Sequence, residues 1–247
     1  MLALLHRPRN QSDRIVFNGN DLSHIVYCKV RRPIMATVNP VFETVPGRDG
    51  EVFRRVTRGG FDLPVDMWIR AEDRREVAEV RHELAAALWS DAPAPLYLPD
   101  DPARYHLAIV TGDTDLDEIT DDCPTTTVTF RVGDPDSFGR SRRMDVSAGS
   151  VFLDAGGTRP TYLRVTAKPA AGTSWRISNL DTGEFVQIGQ AIASGSTVRL
   201  DMESERATLN GQLAAMTIDS DCFAIEGRTH LSISSGTATL EWVERWL

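Results

Sequence analysis

His82-Glu-Leu-Ala-Ala86 begins like the helix of a zinc protease, in which two histidines four residues apart share one face and the Glu serves as base. Ala86 stands where the second His is required, so a metal would be short of a ligand, and His82 and Glu83 read as solvated helix residues. Asp113-Thr-Asp-Leu-Asp-Glu118 spaces Asp113, Asp115 and Asp117 as a calcium loop does. Glu118 occupies the position that needs glycine for the sharp turn, and Pro124 the position of the closing bidentate Glu. Two readings stay open there, an irregular calcium site and an acidic solvent-facing loop. Cys28, Cys123 and Cys222 are odd in number and widely spaced, which gives neither a disulfide framework nor a zinc signature. Five histidines (His6, His24, His82, His106 and His230) fall on different segments. No nucleophile elbow, phosphate loop or dinucleotide fingerprint accompanies them. No catalytic residue, metal or cofactor is therefore predicted, and the protein is not expected to be an enzyme.

Composition narrows the partners. A net charge of −8, with acidic residues spread along all 247 positions and no basic block, leaves no cationic stripe for phosphate backbones. Lys29 and Lys168 are the only lysines; nearly all positive charge is Arg. No apolar run is long enough to span a bilayer. The opening Met1-Leu-Ala-Leu-Leu-His-Arg places its charge after a very short apolar patch, the reverse of a signal peptide, so synthesis and folding in a cytoplasm are expected. Asn10-Gln-Ser12 is formally a glycosylation acceptor that such a protein has no occasion to use.

The elements that would carry any site are mostly strands. Asn18-Gly19 follows the β-rich Ile15-Val-Phe and predicts a hairpin turn. Ile25, Tyr27 and the stem of Lys29 are placed on one strand face. Val41-Phe-Glu-Thr-Val and Glu51-Val-Phe-Arg-Arg-Val flank Pro46-Gly-Arg-Asp-Gly50, a hairpin with a five-residue loop. Phe61 to Ile69 is apolar at alternate positions, read as shifting phase after Pro64, which would demote the strand to an edge or a bulge. Val77, Val80, Leu84 and Leu88 form one helical stripe, begun by the capping pair Asp73 and Glu76 and ended by the prolines after Ser90. Gly133 to Arg143 shows turn residues and charge without period, which puts a domain boundary near 134–149 and domains at 1–138 and 139–247. Short strands between Gly, Asn and Asp turns then predict a β-sandwich.

In order, these segments resemble the distal tail protein family of siphophages. The resemblance is carried by Phe17-Asn-Gly-Asn-Asp-Leu-Ser, Arg32-Pro-Ile, Val45-Pro-Gly-Arg-Asp-Gly, the single helix over 73–89, Leu96-Tyr-Leu-Pro-Asp-Asp-Pro and Thr127-Val-Thr-Phe-Arg-Val-Gly-Asp-Pro. Asn179-Leu-Asp-Thr-Gly, Val198-Arg-Leu-Asp, Thr208-Leu-Asn-Gly and Ser220-Asp-Cys-Phe-Ala-Ile-Glu-Gly carry it through the second half. Cys222 departs from the pattern, since an aromatic is common there. The resemblance implies a mainly β chain: an N-terminal β-sandwich-like domain with one helix and hairpin arms, then a galectin-like C-terminal sandwich. It further implies a structural subunit of a hexameric ring in the virion tail tip, with the tail tube protein and the tail-tip hub or baseplate as partners.

Closed rings use heterologous contacts, so protruding loops are expected to bridge neighbours. Pro46, Gly47, Arg48, Asp49 and Gly50 form one such candidate arm, and Asp113, Asp115 and Asp117 within the 112–122 stretch form a second. A carbohydrate-binding module is the alternative function, with Trp175, Trp242 or Trp246 as a stacking platform on the sandwich.

Overall fold

A computed structural model describes residues 14–117 and 124–247. His6, the Asn10 acceptor, Cys123 and the 118–122 part of the acidic stretch lie outside the described residues. The chain divides into two compact units, Met1–Ser137 and Phe138–Leu247. No helix among the described residues is long and apolar enough to cross a membrane.

The first unit is built from β1 (Val16–Phe17), β2 (Asn20–Asp21), β3 (Val26–Val30), β4 (Val38–Thr44), β5 (Glu51–Arg58) and β6 (Phe61–Ile69), followed by α1 (Arg74–Leu88), β7 (Ala94–Leu98), β8 (Asp101–Thr111) and β9 (Thr125–Val132). Asn18 and Gly19, with φ of 50° and 81°, make the two-residue turn whose twist suits a tight hairpin. The antiparallel neighbours run β2-β1-β7-β8-β9-β6-β3, while β4 and β5, among the described residues, pair only with each other. Phe17 and Phe130 meet with ring centroids 5.3 Å apart in a core that takes Leu63, Met67, Leu96 and Val128 from the strands. Val80, Leu84 and Leu88 of α1 join the same core. The Asp73 side chain accepts from the Glu76 amide at 2.9 Å, and Glu76 reaches back to the amide of Glu72, one residue before the cap.

Two expectations are corrected here. Phe61, Leu63, Val65, Met67 and Ile69 are all buried, so β6 keeps one phase through Pro64. It is also an interior strand, paired with β3 on one side and β9 on the other. Pro64 is tolerated because its missing amide faces the β3 side where that ladder has ended; the last pair is Val30–Val65, and the Pro64 carbonyl accepts from Arg31 N at 3.1 Å. On β3 the inward face is Val26 and Cys28, while Tyr27 faces away beneath the Arg70 guanidinium, 3.6 Å from its ring centroid.

The second unit holds β10 (Ser137–Asp154), β11 (Thr161–Tyr162), β12 (Arg164–Lys168), β13 (Trp175–Asn179), β14 (Phe185–Ile188), β15 (Val198–Asp201), β16 (Arg206–Leu209), β17 (Gln212–Leu213), β18 (Ala224–Ile225) and β19 (Arg228–Trp246). One path runs β17-β16-β15-β12-β19-β10, and β14-β13 attaches to the early part of β19. The last strand, β19, runs for 19 residues and bonds β13 through 231–233 and β12 through 237–241. The stretch from Ser137, irregular in sequence, is the 18-residue β10. Trp175, Ile177, Val186, Leu200, Phe223 and Leu240 lie in one buried cluster.

Glu244 closes this unit. Its buried carboxylate accepts from Arg142 at 2.7 Å and from the Arg140 amide at 3.4 Å, and a Cβ on Gly139 or Gly156 would come within 2.9 Å of it. Burial pushes the carboxyl upward, but Arg142 and Arg140 outweigh it and hold it below the ordinary glutamate value of 4.5. A carboxylate favoured by folding stabilises above its unfolded pKa, and that stabilisation fades as pH falls through the folded value. The gap in urea midpoint between wild type and Glu244→Gln should thus be full at pH 7 and shrink below about pH 4.5. A gap that stays constant down to pH 3 contradicts the assignment.

Candidate assembly interface

The β4–β5 hairpin is a two-stranded sheet of its own, with seven cross-strand pairs from Val38–Arg58 to Thr44–Glu51 and a bulge at Val41/Phe42. Strand alternation makes it two-sided. Pro40 lies opposite Val56 and Phe42 opposite Phe53, whose rings meet edge-on at 5.7 Å. Glu43 pairs with Arg54, the extra residue at the bulge. Phe42, Val56 and Phe53 are 51%, 52% and 53% exposed, and Ile34 and Met35 just before the hairpin are exposed as well. An isolated hairpin is at best marginally stable in water, so an apolar face of this kind is a surface to be covered. Its root is fixed by three features: the Gly59 amide donates to Thr37 O at 2.8 Å, Arg58 pairs with the buried Asp136, and Gly60 lies so close to Val132 O that a Cβ would approach to 2.5 Å.

Pro46 to Gly50 form the exposed tip of this hairpin, where the Arg48 amide donates to Val45 O at 3.2 Å. Asp113, Asp115 and Asp117 lie on the β8–β9 connection and line one concavity of about 510 Å3 with Asp66, Trp68 and Thr125–Thr127. Asp66 is occupied there by Arg31 at 2.5 Å and by the Thr127 hydroxyl at 2.9 Å. Asp117 is laddered to Thr125 in both directions, at 2.7 and 2.9 Å. Among the described residues no group of three or more His, Cys, Asp or Glu is placed to hold a metal. The apolar residues of the hairpin, rather than its turn, are what the sequence reading missed. Their signal was present in Val41-Phe and Glu51-Val-Phe, but alternation alone does not distinguish a core face from an exposed one.

The remaining singled-out side chains are dispersed. His24 pairs with Glu83 at 3.1 Å on the surface, His230 stacks on Phe152 at 4.1 Å, and buried His106 meets Phe61 edge-on. Burial, with Arg32 nearby, holds His106 below the ordinary histidine value. Trp175 and Trp242 are buried, with their indole N–H groups donated to Ser235 O at 3.3 Å and Ala155 O at 2.8 Å. Neither presents a ring for stacking a sugar.

Residues 17–132 match the family described as phage tail protein RIFT-related domain, and residues 156–246 match the siphovirus-type tail component, C-terminal domain. The fold is similar to the crystal structure of the Dit protein of phage SPP1, described as a paradigm of the hub adsorption apparatus in phages infecting Gram-positive bacteria. That match has a TM-score of 0.82 at 18% identity and covers 95% of this chain and 99% of that one. Chains of the phage p2 baseplate in its activated conformation also match. With strontium the TM-score is 0.56 at 10% identity, covering 91% of this chain and 92% of that one. With calcium it is 0.52 at 10% identity, covering 88% and 90%. No curated protein matches the chain. Fold and family matches together define a structural component of a siphovirus-type tail tip, a class of assembly proteins rather than enzymes. The chain belongs to the siphophage distal tail protein family.

Proposed function

We propose that this protein is the subunit of a hexameric ring that joins the tail tube to the tail-tip hub or baseplate, assembled in the host cytoplasm. The apolar face of the β4–β5 hairpin carries the reading. It is anchored at its root, exposed along its length and too small to stabilise itself, so a neighbouring subunit that covers Phe42, Phe53 and Val56 gains buried apolar area. A heterologous contact of this kind, repeated, closes a ring. The 46–50 tip and the 112–117 loop act as further bridging arms.

Light scattering across a concentration series, with and without tail tube protein, tests it. Wild type is expected at six times the 27.3 kDa subunit mass, and Phe42→Ser/Phe53→Ser at the single-subunit mass with an unchanged circular dichroism spectrum. A wild type that stays at one subunit mass in every condition sinks the ring. A second reading, a carbohydrate-binding C-terminal unit, loses Trp175 and Trp242 as stacking rings but is favoured by a polar groove on that unit.

A further inference from the structure

The outward face of β12, β15 and β16, with the end of β19, is a grid of polar side chains. In register across the strands stand Glu241, Arg164, Asp201 and Arg206, and beside them Thr239, Thr166, Arg199 and Thr208. Between them lies an open groove of about 960 Å3. The apolar residues of these strands, Val165 and Leu200 among them, are turned into the core. Centres of protein interfaces are apolar and rich in aromatic residues, and this groove has neither property.

Its charges are unevenly satisfied. Asp201 pairs with Arg164 at 3.5 Å and accepts from the amides of Glu203 and Ser204 at 3.1 and 3.3 Å, which commits it to the β15–β16 turn. Glu241 is 3.9 Å from Arg143. Arg199 and Arg206 are exposed and have no ion pair among the described residues. They are diagonal neighbours across β15 and β16, a separation of about 7–8 Å, and Asp201, directly opposite Arg206, is drawn instead to Arg164 and the turn amides. Arg164, Arg199 and Arg206 against Asp201 and Glu241 leave the groove one positive charge in surplus on a chain of net charge −8. Guanidinium forks fit phosphate oxygens in bidentate fashion, and the neighbouring Thr166 and Thr208 hydroxyls donate and accept toward polyol hydroxyls.

We propose that this groove binds a phosphate-bearing polyol or sugar chain, with Arg199 and Arg206 on its phosphates and Thr166 and Thr208 on its hydroxyls. Nucleic acid is the poorer fit, because among the described residues no aromatic ring lines the groove to stack a base. The site gives the glycan reading of the C-terminal unit a location and does not rest on ring formation.

Calorimetric titration of the full chain tests the site with a glycerol phosphate oligomer, a neutral glucan of matched length, inorganic phosphate and a single-stranded oligonucleotide. Saturable binding of the glycerol phosphate oligomer is expected. Arg199→Gln/Arg206→Gln should weaken it at least tenfold, and Thr166→Val/Thr208→Val should weaken the oligomer but not inorganic phosphate. Arg199 and Arg206 are exposed and Thr166 and Thr208 lie half-buried on the outward face, so melting curves and scattering mass should stay at wild-type values. Oligomer binding that is unchanged in the double arginine variant overturns the site, as does equally tight binding of the oligonucleotide. Binding of the neutral glucan alone overturns the site while leaving a glycan role elsewhere, and no binding of either polymer overturns both.

Discussion

Gly236→Ala is expected to destabilise the C-terminal unit by roughly 3 kcal/mol or more, the sum of an alanine held at positive φ and a steric conflict inside a packed region. Gly236 lies in β19 between the segment that bonds β13 and the segment that bonds β12, and its φ is 74°. A Cβ there would come within 2.1 Å of Lys168 O and 2.7 Å of the Pro169 Cα, both backbone atoms that no side-chain rotation can clear. The strand turns from one set of partners to the other by bringing its backbone against β12, and only glycine permits that approach. Gly195→Ala supplies the contrast, since Gly195 has a φ of 82° but nothing within 4 Å of its missing Cβ. Its cost should be only that of the backbone conformation, about 1–2 kcal/mol. Thermal melts of the two variants side by side decide the matter; equal losses would show that the close approach is not what constrains position 236.

Trp175→Ala is the second large effect, an expected loss of about 3–5 kcal/mol against a typical domain stability of about 5–15 kcal/mol. The ring is 0% exposed, sits within the largest cluster of the second unit and donates its N–H to Ser235 O. Removing it leaves a cavity and an acceptor without its donor. Trp89, at 73% exposure just past α1, is the matched comparison, and its replacement by alanine should change the urea midpoint of the protein very little. If both variants unfold at the wild-type midpoint, the packing described for Trp175 is wrong. Both experiments also bear on the glycan reading, because a tryptophan whose loss collapses the unit is not a stacking platform held out to solvent.

The sequence by itself determined what local rules govern. Val77, Val80, Leu84 and Leu88 share a face at the helical period and Asp73 caps them, so α1 was readable to within a residue of its observed start. Asn18-Gly19 announced a hairpin because positive φ is cheap for those residues, and both adopt it, as do Asn210 and Gly211 at the β16–β17 turn. The β4–β5 hairpin was legible from its loop for the same reason. The ordered set of such segments was enough to indicate the family.

Only the tertiary structure decided which partners those segments found. Pro64 suggested an edge strand, yet β6 is interior because β3 stops where the proline begins. Glycine and charge suggested an irregular joint after Ser137, yet a strand forms there because β19 supplies it with a ladder. The exposure of Phe42 and Phe53, and the polar grid that sets Arg199 beside Thr166 and Arg164 beside Glu241, depend on which strands outside each hairpin lie next to it. A side chain's period is written in its neighbours in sequence, whereas its burial and its charge partners depend on which distant strand lies beside it. The helix and the turns were therefore fixed locally, and the assembly face and the polar groove came into being only with the fold.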